Sequence, residues 1–308
     1  MKIAVIGAGA MGCLYGGYLS KNNQVIMVDA YAPQVEAIQK NGIVIEELSG
    51  ECKHYTDLSV SLSGEYTQKV DLAIVFVKST FTEEALAQNC QIFGENTIVM
   101  TLQNGAGNDR KIGRYAMEEN IIIGTSKHNA INLGAGKTKH SGVGLTTIGS
   151  NHGAGDTLAV VQALFQDAGF EIEVAADIQR IIWSKLFVNL SVNTFTALIE
   201  TPIGYMVQDK YAWDFAKRLI YEAVEVAEAD GTYFDRREVL EMVHKVCEDA
   251  GQGYSSMYQD RQKRVKMEID AINGAIVEQA KQYGVPTPYN SIIVDLIHAL
   301  EGAYQYYD

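Results

Sequence analysis

Residues 2–12 read KIAVIGAGAMG. The first five, KIAVI, are rich in β-branched residues and predict a short buried strand. Gly7-Ala8-Gly9-Ala10-Met11-Gly12 follows, and a helical segment then runs to Ser20. This is G-x-G-x-x-G with a strand before it and a helix after it, the context in which the pattern carries a mechanism. Gly7 permits the tight turn. Gly9 lets a pyrophosphate approach the backbone at the positive end of the helix, and Gly12 lets the helix lie close to the strand. A glycine-rich turn without a ligand is the bland reading, and the position directly after a clean strand weighs against it. Residues Gly7, Ala8, Gly9, Ala10, Met11 and Gly12 are therefore a candidate cofactor cradle.

Outward from this stretch the pattern alternates between strand and helix. Residues 24–28 (QVIMV) read as a second strand ending in Asp29. An acidic side chain about 20 residues beyond the first glycine accepts from the ribose hydroxyls of NAD, and it would repel a 2′-phosphate. Asp29 thus argues for NAD over NADP; its bland role is to cap the next turn. Residues 32–41 fit a crossover helix ended by Gly42, and 43–62 fit short strands and turns, read as a hairpin-like insertion. The apolar runs 70–77 (VDLAIVFV) and 97–102 (TIVMTL) suit parallel strands buried on both faces, separated by a helix at 82–90. They end at Lys78 and at Gln103-Asn104-Gly105. Lys78 and Asn104 so fall past the carboxyl ends of strands, where an open α/β sheet binds its ligand; loop polarity and Asn-Gly turn chemistry are the plainer explanation. Residues 121–124 read as another strand, followed by 125–130 (TSKHNA). The glycine-punctuated stretch 134–149 is expected to add antiparallel strands to the same sheet. A helix at 157–168 and a strand at 171–174 close the series.

From residue 177 only helical patterns remain: 177–199, 209–230, 235–250, 255–283 and 287–307, separated by Pro202, Gly231, Gly251/Gly253 and Pro286. A change of secondary-structure class marks a domain boundary. The expected fold is therefore α/β: a Rossmann-type dinucleotide-binding domain at 1–176, then an all-α domain at 177–308. Within the first of these helices residues 183–193 read WSKLFVNLSVN. Lys185, Asn189 and Asn193 are four apart, so on an α-helix they form one narrow stripe that drifts by about 40° per step. Their neighbours are apolar, and a lysine is rarely buried without a partner. Either the stripe faces water, or it lines a cleft that holds something polar.

Composition narrows the field. The chain has 308 residues, 47% hydrophobic and 20% charged, with a net charge of -13. That charge opposes binding to nucleic acid. The basic run at 261–266 (RQKRVK) is flanked by Asp260 and Glu268 and reads as a solvated helix face. Cys13, Cys52, Cys90 and Cys247 are scattered, without zinc or disulfide spacing, and no His/Cys/Asp cluster calls for a metal. No signal peptide and no apolar run of membrane-spanning length is read, so a cytoplasmic protein without membrane association is expected. The tyrosine-rich end (Tyr304, Tyr306, Tyr307) reads either as a homodimer interface or as a frayed tail.

With these pieces in place, the sequence resembles the ketopantoate reductase family, the 2-dehydropantoate 2-reductases and related 2-keto acid reductases. The likeness spans essentially the whole chain. It is carried by GAGAMG at 7–12, VKS at 77–79, LQNGAG at 102–107, WSKLFVNLSVN at 183–193, and SSMYQD with EIDAING across 255–274. The resemblance implies that Lys185 is the general acid in reduction of a 2-keto acid. It also implies that Glu268 contacts cofactor and orders the site, and that Asn104 touches both cofactor and substrate. Asn189, Asn193 and Ser256 would hold the substrate's hydroxyl and carboxylate, and Lys78 and the Ala130 backbone would contact cofactor. Two departures matter. Well-studied members use NADPH and carry a basic residue near the end of the second strand, where this chain has Asp29-Ala30-Tyr31. Relatives with Asp there resemble NAD-dependent D-2-hydroxyacid dehydrogenases. Gly253 also stands where some members have a substrate-binding Asn. A noncatalytic dinucleotide-sensing protein is the reading from another class, and it would be expected to lose Lys185 or Glu268. Both are present.

Overall fold

A computed structural model of the chain describes residues 1–105, 107–153 and 155–306. Ala106 of the 102–107 motif and Tyr307 of the terminal tyrosines lie outside the described residues. The chain divides into two compact units. One comprises Met1–Gln103 with Gly107–Ile178, the other Asn104–Ala106 with Gln179–Asp308.

Among the described residues the first unit contains twelve strands: β1 Lys2–Ile6, β2 Gln24–Asp29, β3 Ile43–Glu46, β4 Cys52–Tyr55, β5 Ser59–Leu62, β6 Leu72–Val75, β7 Ile98–Thr101, β8 Ile121–Ser126, β9 Asn129–Gly134, β10 Lys137–Gly142, β11 Thr146–Gly149 and β12 Ile172–Val174. Eight of them form the main sheet in the order β12-β11-β8-β7-β6-β1-β2-β5. From β5 to β8 all pairings are parallel, and β11 joins β8 antiparallel. Residues 3–6, 72–75 and 98–101 are buried throughout, as expected for strands covered on both faces. The chain leaves β1 for β2 on one side and reaches β6 on the other, so strand order reverses between β1 and β6. Ligands of open α/β sheets bind at such a point, beyond the carboxyl ends.

Residues 134–149 were expected to extend this sheet, and only β11 does so. β9 and β10 belong to a second, four-stranded sheet, β4-β3-β10-β9, in which β10 runs parallel to β3. The insertion at 43–62 splits likewise: β3 and β4 form an antiparallel pair, whereas β5 lies beside β2. The reason lies in helix α1 (Ala10–Leu19), which contacts β1 and β2 of one sheet and β3, β9 and β10 of the other. Residues from Gly12 to Gly17 are all buried, because both sides of the helix are covered. The other helices of this unit are α2 (Ala32–Asn41), α3 (Thr82–Gln88), α4 (Asn108–Ile112) and α5 (Gly155–Asp167).

The second unit is helical: α6 (Ile178–Val188, of which Ile178 falls to the first unit), a π-helical turn at Asn189–Asn193, α7 (Thr194–Ile199), α8 (Tyr205–Gln208), α9 (Lys210–Ala229), α10 (Arg236–Ala250), α11 (Ser256–Gln262), α12 (Asn273–Tyr283) and α13 (Pro288–Ala303). Its core includes Trp183, Phe187, Leu219, Val243, Ile276 and Ile293. α9 and α10 start where Asp209 and Asp235 accept from backbone N–H groups two and three residues on. The segment 255–283, expected as one helix, breaks in two. Arg264 takes φ +53°, a conformation penalised by its β-carbon, and Met267 and Ile269 bury on either side of Glu268. Arg261, read as part of a solvated face, caps α7 instead: its guanidinium donates to the carbonyls of Ala197 and Leu198. The rest of that run, Gln262 to Lys266, is exposed. Tyr304 packs against the core of this unit while Tyr306 is exposed. Among the described residues no helix is long and apolar enough to cross a membrane.

Candidate active site

The glycine loop follows β1 directly. Gly7 has φ +100°, and a β-carbon on it would lie 2.6 Å from the Val77 nitrogen at the end of the β6 segment. A β-carbon on Gly12 would lie 1.9 Å from the Gly7 carbonyl oxygen, so the close packing of α1 on the loop requires glycine there. Gly9 differs. It is exposed, its φ is -68°, and an added β-carbon would meet nothing within 4 Å. Neither strain nor packing within the chain demands glycine at this position. It is also the N-cap of α1, and no side chain caps the helix. An open glycine at an uncapped helix N-terminus fits a phosphate that needs both room and N–H donors.

The other residues on this side have mixed placements. Ala8 is fully buried, and its N–H donates to Asp29 Oδ2 at 2.6 Å. Asp29 Oδ1 accepts from the Tyr31 N–H at 2.8 Å. Asp29 therefore caps the turn and fastens the loop, and each oxygen keeps a second lone pair for a hydroxyl donor. Ala10 and Met11 are partly exposed at the helix start. Lys78 is exposed just beyond β6, and Ala130 is half-buried in β9, opposite His140. Gln103 is a residue that sequence reasoning misses despite its place in the 102–107 motif. Its Nε2 donates to the Val77 carbonyl at 2.6 Å and to Thr82 Oγ1 at 2.9 Å, tying the end of β7 to that of β6.

In the helical unit the stripe begins at Lys185, in the last turn of α6. Part of the side chain reaches solvent, but the ammonium lies deep enough that burial lowers its pKa from 10.5 to about 8, with the nearby Glu268 carboxylate opposing the shift. Asn189 and Asn193 lie on the π-helical turn, and Asn193 Nδ2 donates to Asn189 Oδ1 at 3.1 Å. A π-turn rotates each residue by less than an α-turn does, so it counteracts the drift of a four-residue spacing. The stripe is consequently straighter than an unbroken α-helix would make it. The turn's polar groups are met locally: the hydroxyls of Ser191, Thr194 and Thr196 donate to the carbonyls of Phe187, Leu190 and Val192 at 2.6, 2.6 and 2.7 Å.

Two loops complete this side. Asn104 Nδ2 donates to Glu268 Oε2 at 3.3 Å. Gly105 has φ +92°, and a β-carbon on it would lie 2.0 Å from the Ala271 carbonyl oxygen, so the Asn104-Gly105 turn sits tightly on the segment that carries Glu268. Ser255, not Ser256, caps α11: its hydroxyl accepts from the Tyr258 N–H at 3.1 Å and bonds Thr196 Oγ1 at 3.0 Å. That leaves Ser256 exposed at the first turn, on a helix pinned beside the Asn193 turn. The helical unit thus gathers Lys185, Glu268 and Asn104, with Asn189, Asn193 and Ser256 on the adjoining turns. A cation whose pKa is lowered to about 8, a carboxylate that favours its charge, and directional amides can together bind a small anion and protonate a developing oxyanion.

Comparison with known proteins identifies the family. The family described as "Ketopantoate reductase PanE/ApbA" matches residues 3–153, and its C-terminal counterpart matches 177–301. The 2-dehydropantoate 2-reductase of Streptococcus pyogenes serotype M3 is 32% identical over 307 residues, covering 98% of each chain. That of Pyrococcus horikoshii is 33% identical over 302 residues, again with 98% of each chain covered. Among solved structures, D-mandelate dehydrogenase with NADH and anilino(oxo)acetate superposes with a TM-score of 0.90 at 30% identity, over 98% of this chain and 99% of that one. The chain belongs to the ketopantoate reductase family, and with it to the oxidoreductases that act on CH–OH groups.

Proposed function

We propose that the protein reduces a 2-keto acid, 2-dehydropantoate to D-pantoate, with Lys185 as the general acid. The observation that carries the reading is the lysine itself: a largely enclosed ammonium, its pKa brought to about 8, beside Glu268. Gly7, Gly9, Ala10, Met11, Gly12, Asp29, Lys78 and Ala130 would hold the dinucleotide, which when bound would supply the hydride for the C2 carbonyl. The remaining work falls to the chain's own side chains. Lys185 stabilises the charge that builds on the carbonyl oxygen and delivers a proton from Nζ. Glu268, which accepts from Asn104, keeps the ammonium charged and aimed. Asn189, Asn193 and Ser256 orient the substrate's carboxylate and hydroxyl, so that only the carbonyl oxygen meets Lys185. On this reading residues 1–176 are the dinucleotide-binding domain, and 177–308 bear the catalytic groups.

A second reading is an NAD-dependent D-2-hydroxyacid dehydrogenase acting on branched or aromatic 2-keto acids. Asp29 and the likeness to the NADH-bound mandelate dehydrogenase favour it. One set of assays separates the two. Titration of NADH and NADPH side by side is expected to give a KM at least about tenfold lower for NADH, because Asp29 repels a 2′-phosphate. A preference for NADPH would show that Asp29 does not read the ribose. With the better cofactor, 2-dehydropantoate is expected to give the higher kcat/KM; comparable values for 2-ketoisocaproate and phenylpyruvate would replace the first reading with the second.

A further inference from the structure

We infer that Asn273 is a positioning residue that holds the Asn189–Asn193 turn in register with the segment bearing Glu268. The inference rests on the proposed site. Asn273 opens α12, five residues after Glu268, and it is 0% exposed, so its effect on substrate must pass through other residues. Its Nδ2 donates to the Leu190 carbonyl, inside the π-helical turn, at 2.9 Å, and to Asn290 Oδ1 at 2.9 Å.

The direction of this link is set from the far end. Glu222, buried on α9, accepts from the Tyr289 N–H at 2.8 Å, and from the N–H and Nδ2 of Asn290 at 2.9 and 2.8 Å. Asn290 must therefore turn its NH2 towards Glu222 and the Leu219 carbonyl and its oxygen towards Asn273. Asn273 must in turn present its own NH2. A flipped amide would set its oxygen against two other oxygens. Its Oδ1 is buried without a hydrogen-bond partner, so the orientation is chosen for the two donations alone. A single directed chain thus runs from Glu222 through Asn290 and Asn273 to Leu190, between the two residues that would hold the substrate. A buried chain of this kind selects one arrangement of the elements it joins.

Steady-state kinetics on the full-length protein test the role. Asn273→Ala is expected to raise KM for the keto acid by about tenfold, to lower kcat less, and to leave cofactor KM within about twofold. Asn273→Leu, which keeps the branched shape in a larger side chain and loses both donations, is expected to do the same and serves where the alanine variant does not fold. Asn290→Ala is the control. It removes the links to Glu222, Leu219 and Asn273 but leaves Asn273 on Leu190, so it should lower Tm more and KM should change less. An unchanged KM in a folded Asn273 variant overturns the inference, and so does an equal KM rise in Asn290→Ala. If Lys185→Ala is inactive and the Asn273 variants are silent, this inference alone fails. If Lys185→Ala is active, the proposed site fails with it.

Discussion

Lys185→Ala is expected to lower kcat for keto-acid reduction by about 10²- to 10⁴-fold, the range a positioned general acid contributes. The affinity for dinucleotide should change little, since the cradle of Gly7 to Gly12 belongs to the other unit. The size of the effect follows from the placement of the ammonium. Burial has lowered its pKa to about 8 while Glu268 holds it up, so near neutral pH it is charged and still able to release its proton. An exposed lysine at about 10.4 would be a far weaker donor at that pH. Glu268→Gln removes the opposing charge and should lower the lysine's pKa further, so its activity would be lost at a lower pH than in the unaltered protein. Stopped-flow measurement of dinucleotide oxidation separates chemistry from release. Near-normal turnover by Lys185→Ala would end the assignment.

Gly9→Val is expected to raise the dinucleotide KM by about 100-fold or more while Tm stays within a few degrees, each tenfold being about 1.4 kcal/mol of lost binding. Gly9 occupies extended backbone, and a β-carbon on it would have no neighbour within 4 Å, so the folded protein tolerates a larger side chain. What the side chain would occupy is the space next to the uncapped start of α1. Gly7 and Gly12 cannot serve as the same test, because a β-carbon at either would collide with the chain's own backbone. Cofactor titration by fluorescence, with Tm measured in parallel, checks the result. Unchanged binding would mean that Gly9 faces no ligand.

Much of this was legible in the residues. The strand–glycine–helix pattern at 2–20 and the apolar runs of β6 and β7 follow from local composition. The second sheet was not, because its strands are partly solvent-facing and lack a continuous apolar run; β9 is exposed at all but Ala130. Its existence depends on α1 having two covered sides, which a linear pattern does not display. The π-turn at Asn189–Asn193 escaped for a similar reason. A 3.6-residue period fits these side chains, and no residue type in the stretch signals the widening of the backbone at Asn189–Asn193. Gln103, Arg261 and Asn273 lie inside or beside stretches already singled out. Their partners come from elements far away in sequence, so residue type alone could not assign their roles.

The proton donor is the centre of the account, and the pH dependence of kcat/KM for keto-acid reduction tests it most directly. On the proposed mechanism the reduction needs Lys185 protonated. Its rate constant should therefore be level at roughly pH 6–7 and fall tenfold per unit above the group's pKa, as for an essential acid of the free enzyme. That limb is expected at about 8 and should be absent from the residual activity of Lys185→Ala. A profile that stays level to the ordinary lysine range of about 10.4, or a limb near 8 that survives in Lys185→Ala, would contradict it.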